Sequence, residues 1–353
     1  MNDKVIRVLI AEDSTVSAEI IKCVLEHDPQ IRVIGVATNG VDVVAMTVEM
    51  KPDIITMDIH MPLMDGLEAV KQVMAYCPTP VLILSSSINS ERNMDKVFKA
   101  ISYGALDVME KKVFEGYDVD DIFKKELIDK IKFLYKINVI THPLAKIEKS
   151  SGERHLHRIH TPVKTNVCSI IGIVASTGGP NALLKILKEL PKKGVPPIVV
   201  VQHITHGFLE GLVEWLDRET SIQIKVAHDM DKLMPGIVYF APDKFQMRIS
   251  SEGNVHLCDE IIVDGHKPSG TVLLSSIAES FGARSLGIIL TGMGGDGATG
   301  IKKIHEAGGR TIAQDEGSCI IYGMPKIAFK MGVVDEVLPI GEIAQRLLQY
   351  VIG

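Results

Sequence analysis

The spacing of apolar residues alternates along the chain between two patterns. In the N-terminal part, the continuous apolar runs are KVIRVLIAE, IRVIGVA, DIITMD, PVLILS and ALDVMEK. Between them lie stretches such as STVSAEIIKCVLEH, in which apolar residues recur at helical spacing. Continuous runs are typical of strands buried on both faces, and the periodic stretches predict helices. We therefore predict a parallel sheet covered by helices, built from five strand–helix units within residues 1–138.

A polar segment over residues 139–165 interrupts this alternation. It contains THPLAKIEKSSGERHLHRIHTPVKT, which has two prolines and no strong periodicity, and we predict a linker there. We interpret its histidines, His155, His157 and His160, as part of a solvated basic linker rather than as metal ligands.

The strand–helix alternation resumes after the linker. Its apolar runs are VCSIIGIVAS, PPIVVVQH, GIVYFAP, SLGIILTG and RTIAQD. We predict a second, longer α/β domain over residues 166–353. The fold prediction is thus two doubly wound parallel-sheet domains, an N-terminal (βα)5 domain and a C-terminal Rossmann-like domain.

Composition narrows the possible functions. The chain has 353 residues, of which 46% are hydrophobic and 23% are charged, as expected for about two globular domains. A net charge of −6 without a large basic block argues against non-specific nucleic-acid binding. The five scattered cysteines form no C-x-x-C motif, and we expect small buried residues in a reducing compartment. No apolar run is long enough to span a bilayer, so we expect a soluble cytoplasmic protein without direct membrane insertion.

Polar and charged residues, three of them acidic, follow four predicted strands of the first domain. The first strand ends in Glu12 and Asp13, the third in Asp58, the fourth in Ser85 and the fifth in Lys111. Side chains beyond the carboxyl ends of parallel strands share one crevice, where three carboxylates repel one another unless a hard cation such as Mg²⁺ binds. Asp58, on the middle strand, is then a candidate nucleophile toward a phosphoryl group, with Ser85 and Lys111 contacting phosphoryl oxygens. A solvated acidic edge, the alternative, does not explain five suitable residues at four strand ends.

These residues closely resemble the receiver domain of response regulators. The resemblance covers residues 4–125 and rests on AEDS (11–14), MDIHMPLMDG (57–66), GALD (104–107), Ser85 and Lys111. It implies that Asp58 receives phosphate from a histidine kinase, and that Mg²⁺ is held by Glu12, Asp13, Asp58 and the backbone carbonyl of His60. Two positions depart from the usual pattern, because Glu12 stands where Asp is common and Lys112 replaces a proline.

Three residues of the second domain also follow predicted strands. IGIVASTGGP ends a strand at Ser176, PPIVVVQH ends one at His203, and LGIILTG leads into the loop that contains Asp296. A serine hydroxyl needs an adjacent base to become nucleophilic, and a carboxylate can fix the tautomer of an imidazole base. The strand ends thus predict a nucleophile, a base and an orienting acid.

The turn after the serine strengthens this hypothesis. Gly178 and Gly179 permit a sharp turn, and Pro180 suits the first turn of a helix whose free N–H groups would point toward the serine. Together with N–H groups of the GMGGDG loop, these donors could bind an oxyanion. The motif differs from the G-x-S-x-G elbow, because Val174 occupies the position of its first glycine.

A dinucleotide-binding loop is the alternative for GMGGDG, residues 292–297. The loop matches G-x-G-x-x-G, and Asp315 follows about twenty residues later, as in the dinucleotide fingerprint. However, the charge of Asp296 inside the loop would oppose a pyrophosphate, and this hypothesis leaves Ser176 and His203 unexplained. We therefore favour hydrolysis.

The second domain resembles the catalytic domain of the chemotaxis protein-glutamate methylesterase family. The motifs are GIVASTGGPNAL (172–183), VVQHITHGF (200–208), GIVYFAP (236–242), GHKPSGTVLL (265–274), GIILTGMGGDGATG (287–300) and YGMP (322–325). The resemblance implies hydrolysis of glutamyl methyl esters on chemoreceptors and deamidation of receptor glutamines, without a cofactor for the esterase chemistry. It makes Ser176 the nucleophile, His203 the base and Asp296 its orienting acid. Thr177 and the backbone of Met293 would stabilise the oxyanion.

The resulting hypothesis is a phosphorylation-activated serine esterase whose partners are chemoreceptors and a chemotaxis histidine kinase. The family resemblance implies that the unphosphorylated receiver covers the esterase site. His266 and Lys267 are candidates for lining the substrate groove, whereas His206 is better interpreted as a polar loop residue than as a second base. Two alternatives stay open at this stage: a catalytically silent receptor-binding module, and a hydrolase that acts on another methylated signalling protein.

Overall fold

The computed structural model describes residues 4–85, 91–111, 120–137, 139 and 168–352. The chain divides into two compact units, residues 1–152 and 153–353, and each is described by itself. The predicted linker, with its three histidines, lies outside the described residues apart from Val139, and so does Lys112. None of the described helices combines the length and the apolar character needed to span a bilayer.

The N-terminal unit is a five-stranded parallel sheet with the order β2-β1-β3-β4-β5. Its strands are β1 (Ile6–Ala11), β2 (Ile31–Ala37), β3 (Ile54–Asp58), β4 (Val81–Ser85) and β5 (Asp107–Glu110). Its helices are α1 (Thr15–Glu26), α2 (Gly40–Met50), α3 (Gly66–Tyr76), α4 (Glu91–Ser102) and α5 (Asp121–Leu134). Every residue of the central strands β3 and β4 is buried, as the continuous apolar runs predict.

Short polar side chains set the helix starts of this unit. Ser14, Asn39 and Asp65 each accept a hydrogen bond from a backbone N–H in the first turn of α1, α2 and α3, respectively. Such caps satisfy N–H groups that have no partner within the helix. Because α1 and α3 begin only a few residues after β1 and β3, the polar residues between strand and helix stay at the carboxyl edge of the sheet.

The C-terminal unit contains a seven-stranded parallel sheet with the order β14-β13-β12-β6-β7-β9-β8. Its strands, with the hairpin strands β10 and β11 included, are β6 (Ile170–Ala175), β7 (Ile198–Gln202), β8 (Gln223–Val226), β9 (Ile237–Phe240), β10 (Gln246–Ile249), β11 (Val255–Cys258), β12 (Ser285–Ile289), β13 (Arg310–Gln314) and β14 (Glu336–Leu338). Its α-helices are α6 (Gly179–Lys188), α7 (Leu209–Glu219), α8 (Gly270–Phe281), α9 (Ala298–Glu306), α10 (Met324–Lys330) and α11 (Ile340–Ile352), and a short 3-10 helix spans Gly282–Arg284.

The order of these strands reverses at β6. The chain runs from β6 to β7 on one side of the sheet and later returns to the other side with β12. The crevice at such a reversal is the usual ligand site of an open α/β sheet. The antiparallel hairpin β10–β11 lies against α8, where the Ile249 N–H donates to Ser276 Oγ at 3.0 Å.

The fold confirms two parallel-sheet α/β domains, and it adds four strands that the apolar runs did not predict. These strands, β8, β10, β11 and β14, have only three or four residues each, and none of them is buried along its whole length. The expectation of buried cysteines is wrong for four of the five. Cys168 is buried, Cys23 is exposed and the other three are half-buried; all five are free thiols.

Candidate functional site

The predicted acidic cluster of the N-terminal unit forms around a buried lysine. Glu12 follows β1, Asp58 ends β3 and Lys111 follows β5, with exposed fractions of 1%, 4% and 8%. Lys111 Nζ donates to Glu12 Oε1 at 3.0 Å, to Glu12 Oε2 at 2.8 Å and to Asp58 Oδ2 at 2.5 Å. Buried charges require such partners, because their hydration is lost. One ammonium group therefore holds two carboxylates together.

Burial and ion pairing have opposite effects on the pKa values of this cluster. Burial raises the pKa of Glu12, and the hydrogen bonds from Lys111 oppose that rise only in part. For Lys111, burial favours the neutral amine, but the charges and hydrogen bonds of Asp58 and Glu12 outweigh it and raise its pKa. Lys111 consequently stays protonated at neutral pH.

The same edge of the sheet offers oxygen ligands for a cation. Glu12, Asp13 and Asp58 each place a carboxylate oxygen within 4.8 Å of the others, and Asp13 is exposed to solvent. Three carboxylates match the preference of hard divalent cations such as Mg²⁺ for oxygen. Ser85 Oγ is buried and has no hydrogen-bond partner among the described residues, so an incoming oxygen could bind it. The structure thus brings Glu12, Asp58 and Lys111 into contact, places Asp13 close to the two carboxylates, and places Ser85 at the end of the neighbouring strand β4.

Gly66, at the start of α3, is a feature of this site that the sequence analysis did not explain. A side-chain carbon at Gly66 would lie 2.1 Å from the Asp58 carbonyl oxygen. The Gly66 N–H also donates to the Ile59 carbonyl at 3.0 Å. Glycine is therefore needed for α3 to start this close to the end of β3.

Ser176, His203 and Asp296 follow β6, β7 and β12, which are neighbouring strands of the second sheet. His203 Nε2 lies 2.9 Å from Asp296 Oδ2. Main-chain hydrogen bonds fix the rim, since the His203 N–H donates to the Ala175 carbonyl at 2.9 Å and the Ser176 N–H to the Thr291 carbonyl at 3.0 Å. The structure therefore brings the three predicted residues to one rim of the sheet.

Asp296 is buried and held by four donors. Besides His203, these donors are Ser269 Oγ at 2.6 Å, the Gly270 N–H at 2.6 Å and the Thr271 N–H at 3.0 Å. Three of them belong to the start of α8, where unpaired N–H groups favour an anion. Burial alone would raise the pKa of Asp296, but the hydrogen bonds from His203, Ser269 and Thr271 hold it well below its ordinary value. Asp296 is therefore ionised at neutral pH.

The contact with Asp296 determines which nitrogen of His203 can act as a base. An ionised carboxylate only accepts hydrogen bonds, so Nε2 carries the proton and Nδ1 carries the lone pair. Nδ1 is buried and has no partner among the described residues. In the part of the chain that the structure describes, no hydrogen bond joins it to Ser176 Oγ. Catalytic hydrogen bonds often form only when substrate is bound, so this open contact is compatible with catalysis.

Gln202 is a site residue that the sequence analysis missed. Its buried side chain donates from Nε2 to the Ser176 carbonyl at 2.9 Å and to the His203 carbonyl at 2.7 Å. A side-chain carbon at Gly179 would lie 2.0 Å from Gln202 Oε1, so the turn after Ser176 needs glycine there. The signal in the sequence was a polar amide at the end of the apolar run PPIVVVQ.

The surroundings of Ser176 agree only in part with the predicted oxyanion site. A side-chain carbon at Gly292 would lie 2.6 Å from Ser176 Cβ, so the loop that contains Met293 passes directly against the serine. However, the Gly179 N–H donates to the Ser176 carbonyl at 2.7 Å, and it is therefore not one of the free N–H groups expected at the start of α6. The Thr177 carbonyl accepts from Thr291 Oγ1 at 3.1 Å, which fixes the turn.

A pocket of about 150 Å³ adjoins His203. His206 lines it, is exposed, and pairs through Nδ1 with Asp243 Oδ2 at 2.8 Å. Lys267 lies in the same pocket and forms an ion pair with Asp259. The pocket is lined by Gln202, His203, Ile204, His206, Asp243, Lys244, His266, Lys267 and Pro268. The predicted groove residues His266 and Lys267 thus lie in the same pocket as His203.

Comparisons with known proteins match both units. A family model described as "CheB methylesterase" matches residues 171–347, and one described as "Response regulator receiver domain" matches residues 8–120. The chain is 36% identical over 357 residues to protein-glutamate methylesterase/protein-glutamine glutaminase 4 of Myxococcus xanthus (strain DK1622), covering 98% of this chain and 97% of that protein. It is 37% identical over 349 residues to protein-glutamate methylesterase/protein-glutamine glutaminase 1 of Syntrophus aciditrophicus (strain SB), covering 98% of each.

A solved structure agrees with these matches. The Thermotoga maritima CheB methylesterase catalytic domain is 37% identical in sequence and aligns with a TM-score of 0.50 over 52% of this chain and 98% of that one. Both units and nearly the whole length are therefore accounted for by one group of proteins. The chain belongs to the protein-glutamate methylesterase/protein-glutamine glutaminase family, with a receiver domain followed by a CheB methylesterase domain.

Proposed function

We propose that this protein is a phosphorylation-activated serine esterase, which hydrolyses glutamate methyl esters on chemoreceptors and deamidates receptor glutamines. Ser176 is the nucleophile, His203 the base and Asp296 the acid that orients it. The observation that carries the proposal is the 2.9 Å contact between His203 Nε2 and Asp296 Oδ2. His203 follows β7, and β7 pairs with β6, the strand that ends beside Ser176. Family membership supports the substrate class.

The reaction follows from the tautomer of His203. Ser176 Oγ attacks the ester carbonyl while its proton passes to Nδ1, and the imidazolium then protonates the leaving methoxide, which departs as methanol. Water attacks the acyl-enzyme by the same route and returns Ser176 to its starting state. Asp296 stabilises the imidazolium through Nε2. A glutamine substrate loses ammonia instead of methanol.

The backbone of Met293 and the Thr177 turn stabilise the oxyanion in this proposal. Support comes from the loop around Gly292, which lies against Ser176, and from the hydrogen bond that fixes the Thr177 carbonyl. Losing one oxyanion donor typically costs about 3 kcal/mol of transition-state stabilisation.

In the receiver domain, Asp58 accepts the phosphoryl group from the chemotaxis histidine kinase. Its carboxylate oxygen forms the new bond to phosphorus as the P–N bond of the kinase phosphohistidine breaks, while the Lys111 ammonium and the Ser85 hydroxyl each contact a phosphoryl oxygen. Glu12, Asp13, Asp58 and the His60 carbonyl would hold Mg²⁺, which fits the three carboxylates within 4.8 Å of one another. When bound, the cation neutralises charge on the phosphoryl oxygens.

Regulation, partners and location follow from these roles. Phosphorylation of Asp58 relieves a restraint that the unphosphorylated receiver domain places on the esterase. Chemoreceptors and the chemotaxis kinase are the partners, and the reaction takes place in the cytoplasm, where the methylated receptor helices lie. Residues 139–165 serve as the linker between the two domains.

Methanol release from methylated receptor membranes tests the esterase. The wild type should release methanol, and more of it with acetyl phosphate as phosphodonor, whereas Ser176→Ala should release none. Full activity of that variant would refute the role of Ser176. Binding of receptors without methanol release by the wild type would instead support the silent binding module. Methanol release from receptor membranes would also identify chemoreceptors, rather than another methylated signalling protein, as the substrate.

A further inference from the structure

The ring of His266 lies flat on the ring of His203. The two centroids are 3.8 Å apart and the planes are inclined by only 10°. The contact joins two ionisable rings in a site where one of them must gain a proton. Two stacked cations would repel each other, so this arrangement suits catalysis only if His266 stays neutral.

The loop that carries His266 is fixed on several sides. His266 Nδ1 donates to the Asp264 carbonyl at 2.8 Å, which leaves the lone pair on Nε2. Gln246, which is fully buried, donates to the His266 carbonyl at 3.3 Å and accepts from the Ser269 N–H at 2.8 Å. Ser269 in turn donates to Asp296. The same frame therefore positions both the stacked ring and the carboxylate that binds His203.

The electrostatic surroundings keep His266 in its neutral form. Burial and the neighbouring His203 lower the pKa of His266, and Asp296 and Asp264 oppose that shift only in part. Two other basic residues of the pocket are paired with carboxylates, Lys267 with Asp259 and His206 with Asp243. A neutral aromatic face attracts a cation stacked on it, as in cation–π contacts. The imidazolium formed during catalysis thus gains a favourable neighbour.

One hydrogen bond does not fix the orientation of an imidazole. Rotation of the His203 ring about its Cβ–Cγ bond would remove Nε2 from Asp296 and turn Nδ1 away from the position it needs as a base. A ring stacked on one face restricts that rotation by contact. Stacking therefore supplies the second constraint that the contact with Asp296 lacks.

A metal site is the other use of these residues, and the geometry disfavours it. His203, His266 and Asp296 place ligand atoms within 4.8 Å of one another. However, Asp296 already accepts four hydrogen bonds, and nearly parallel stacked rings direct their lone pairs in parallel planes rather than at one point.

We propose that His266 is a positioning residue, which stacks on His203 and holds the base so that Nε2 binds Asp296 and Nδ1 can take the proton of Ser176. The inference rests on the proposed role of His203 as the base. It assigns His266 to the orientation of the catalytic machinery rather than to binding of the receptor substrate.

The test measures how fast a fluorophosphonate labels Ser176 in the full-length protein, with acetyl phosphate present. In that reaction Ser176 Oγ bonds to phosphorus, fluoride leaves and the proton passes to His203, so the rate reports activation of the serine without a receptor. Steady-state methanol release supplies kcat and KM in parallel. The variants are His266→Ala, which removes the ring, and His266→Phe, which keeps a neutral ring. His228→Ala, on an exposed histidine, is the control.

We expect His266→Ala to lower the labelling rate and kcat about 10-fold to 30-fold with little change in KM, as for a misplaced catalytic group. His266→Phe should recover both values to within about threefold, and His228→Ala should match the wild type. Wild-type labelling by His266→Ala with a raised KM would overturn the proposal in favour of substrate binding. Equal impairment of the Ala and Phe variants with native circular dichroism spectra would also overturn it. Failure of the wild type itself to label at Ser176 would instead refute the proposed function.

Discussion

Both domains place buried carboxylates at the carboxyl ends of parallel strands, but the main hydrogen-bond donors to these carboxylates differ. In the receiver domain, Glu12 and Asp58 share the ammonium of one lysine, Lys111. In the esterase domain, Asp296 accepts four hydrogen bonds, two of them from backbone N–H groups at the start of α8. Glu12 and Asp58 each accept one backbone N–H as well, from Ser14 and His60, but both donors lie in loops rather than in a helix. The first carboxylates therefore depend mainly on a flexible side chain, whereas half of the donors to Asp296 belong to the main chain of a helix.

In the proposed roles, this difference distinguishes a site that must rearrange on phosphorylation from a site that must stay fixed during catalysis. The ammonium of a lysine sits on a flexible stem and can change partners when a phosphoryl group or a cation arrives. Backbone donors cannot move without unfolding the helix, so they keep the charge of Asp296 in one place. The kind of donor around a buried carboxylate is thus informative about whether the site must rearrange. Four predictions test this contrast.

Asp296→Asn should have the largest effect. An amide in this position cannot hold the His203 tautomer that leaves Nδ1 as the base, so we expect kcat for methanol release to fall about 10³-fold to 10⁴-fold. Circular dichroism should show an unchanged fold. A loss of less than tenfold would show that the fixed carboxylate is not essential.

Asp58→Asn should remove the response to phosphodonor while keeping the basal esterase activity. Typical coupling between sites of 1–3 kcal/mol predicts that the lost stimulation amounts to about 5-fold to 150-fold. The measurement is methanol release with and without acetyl phosphate, together with incorporation of labelled phosphate. Asp121→Asn, on a side chain that is 95% exposed, is the matched control and should respond like the wild type. Stimulation of Asp58→Asn equal to that of the wild type would contradict the assignment.

Ser269→Ala should affect activity and stability together. It removes the 2.6 Å donor to Asp296 and the cap of α8, so we expect kcat to fall about tenfold and the free energy of unfolding to fall by about 1 kcal/mol. Asn39→Ala removes the cap of α2 in the receiver domain and should cost similar stability without a change in basal activity. Equal activity losses in the two variants would indicate a general effect of destabilisation.

The smallest expected effect is a loss of stability in acid, which follows from the lowered pKa of Asp296. Because the folded-state pKa lies below the ordinary value of about 3.9, the stabilisation is complete above that value and declines as pH falls below it. The difference in urea midpoint between the wild type and Asp296→Asn should therefore stay constant above about pH 4 and shrink as pH falls from about 4 to 2. Fluorescence of Trp215, the single tryptophan, reports the esterase domain, because its side chain is buried in α7. A constant difference over this range would contradict the assigned shift.

Hydrophobic periodicity was sufficient to predict the two parallel sheets and the strands that bring the functional residues together. It failed for short strands such as β10 and β11, whose four-residue segments contain too few apolar positions to show a period. It also could not identify Gln202 or Ser269 as site residues. Each looks like an isolated polar position, and its role depends on partners 26 or 27 positions away.

The sequence also could not predict the orientation of the His203 ring. The motif predicts that a carboxylate binds this imidazole, but not which ring nitrogen faces it. That choice depends on where the loop after β12, which contains Asp296, lies relative to the end of β7, and this is a property of the tertiary structure. The stacked contact with His266 has the same origin, because the two residues come from different loops.

The strand order of the esterase domain also has a consequence for its synthesis on the ribosome. β6 lies between β7 and β12, and it pairs with β12 along Ser285–Ile289. Until β12 has been translated, one side of β6 exposes unpaired N–H and C=O groups, as an edge strand does. Nascent chains that stop before β12 should therefore aggregate or recruit chaperones, and in the proposed mechanism they would also be inactive, because Asp296 has not yet been added.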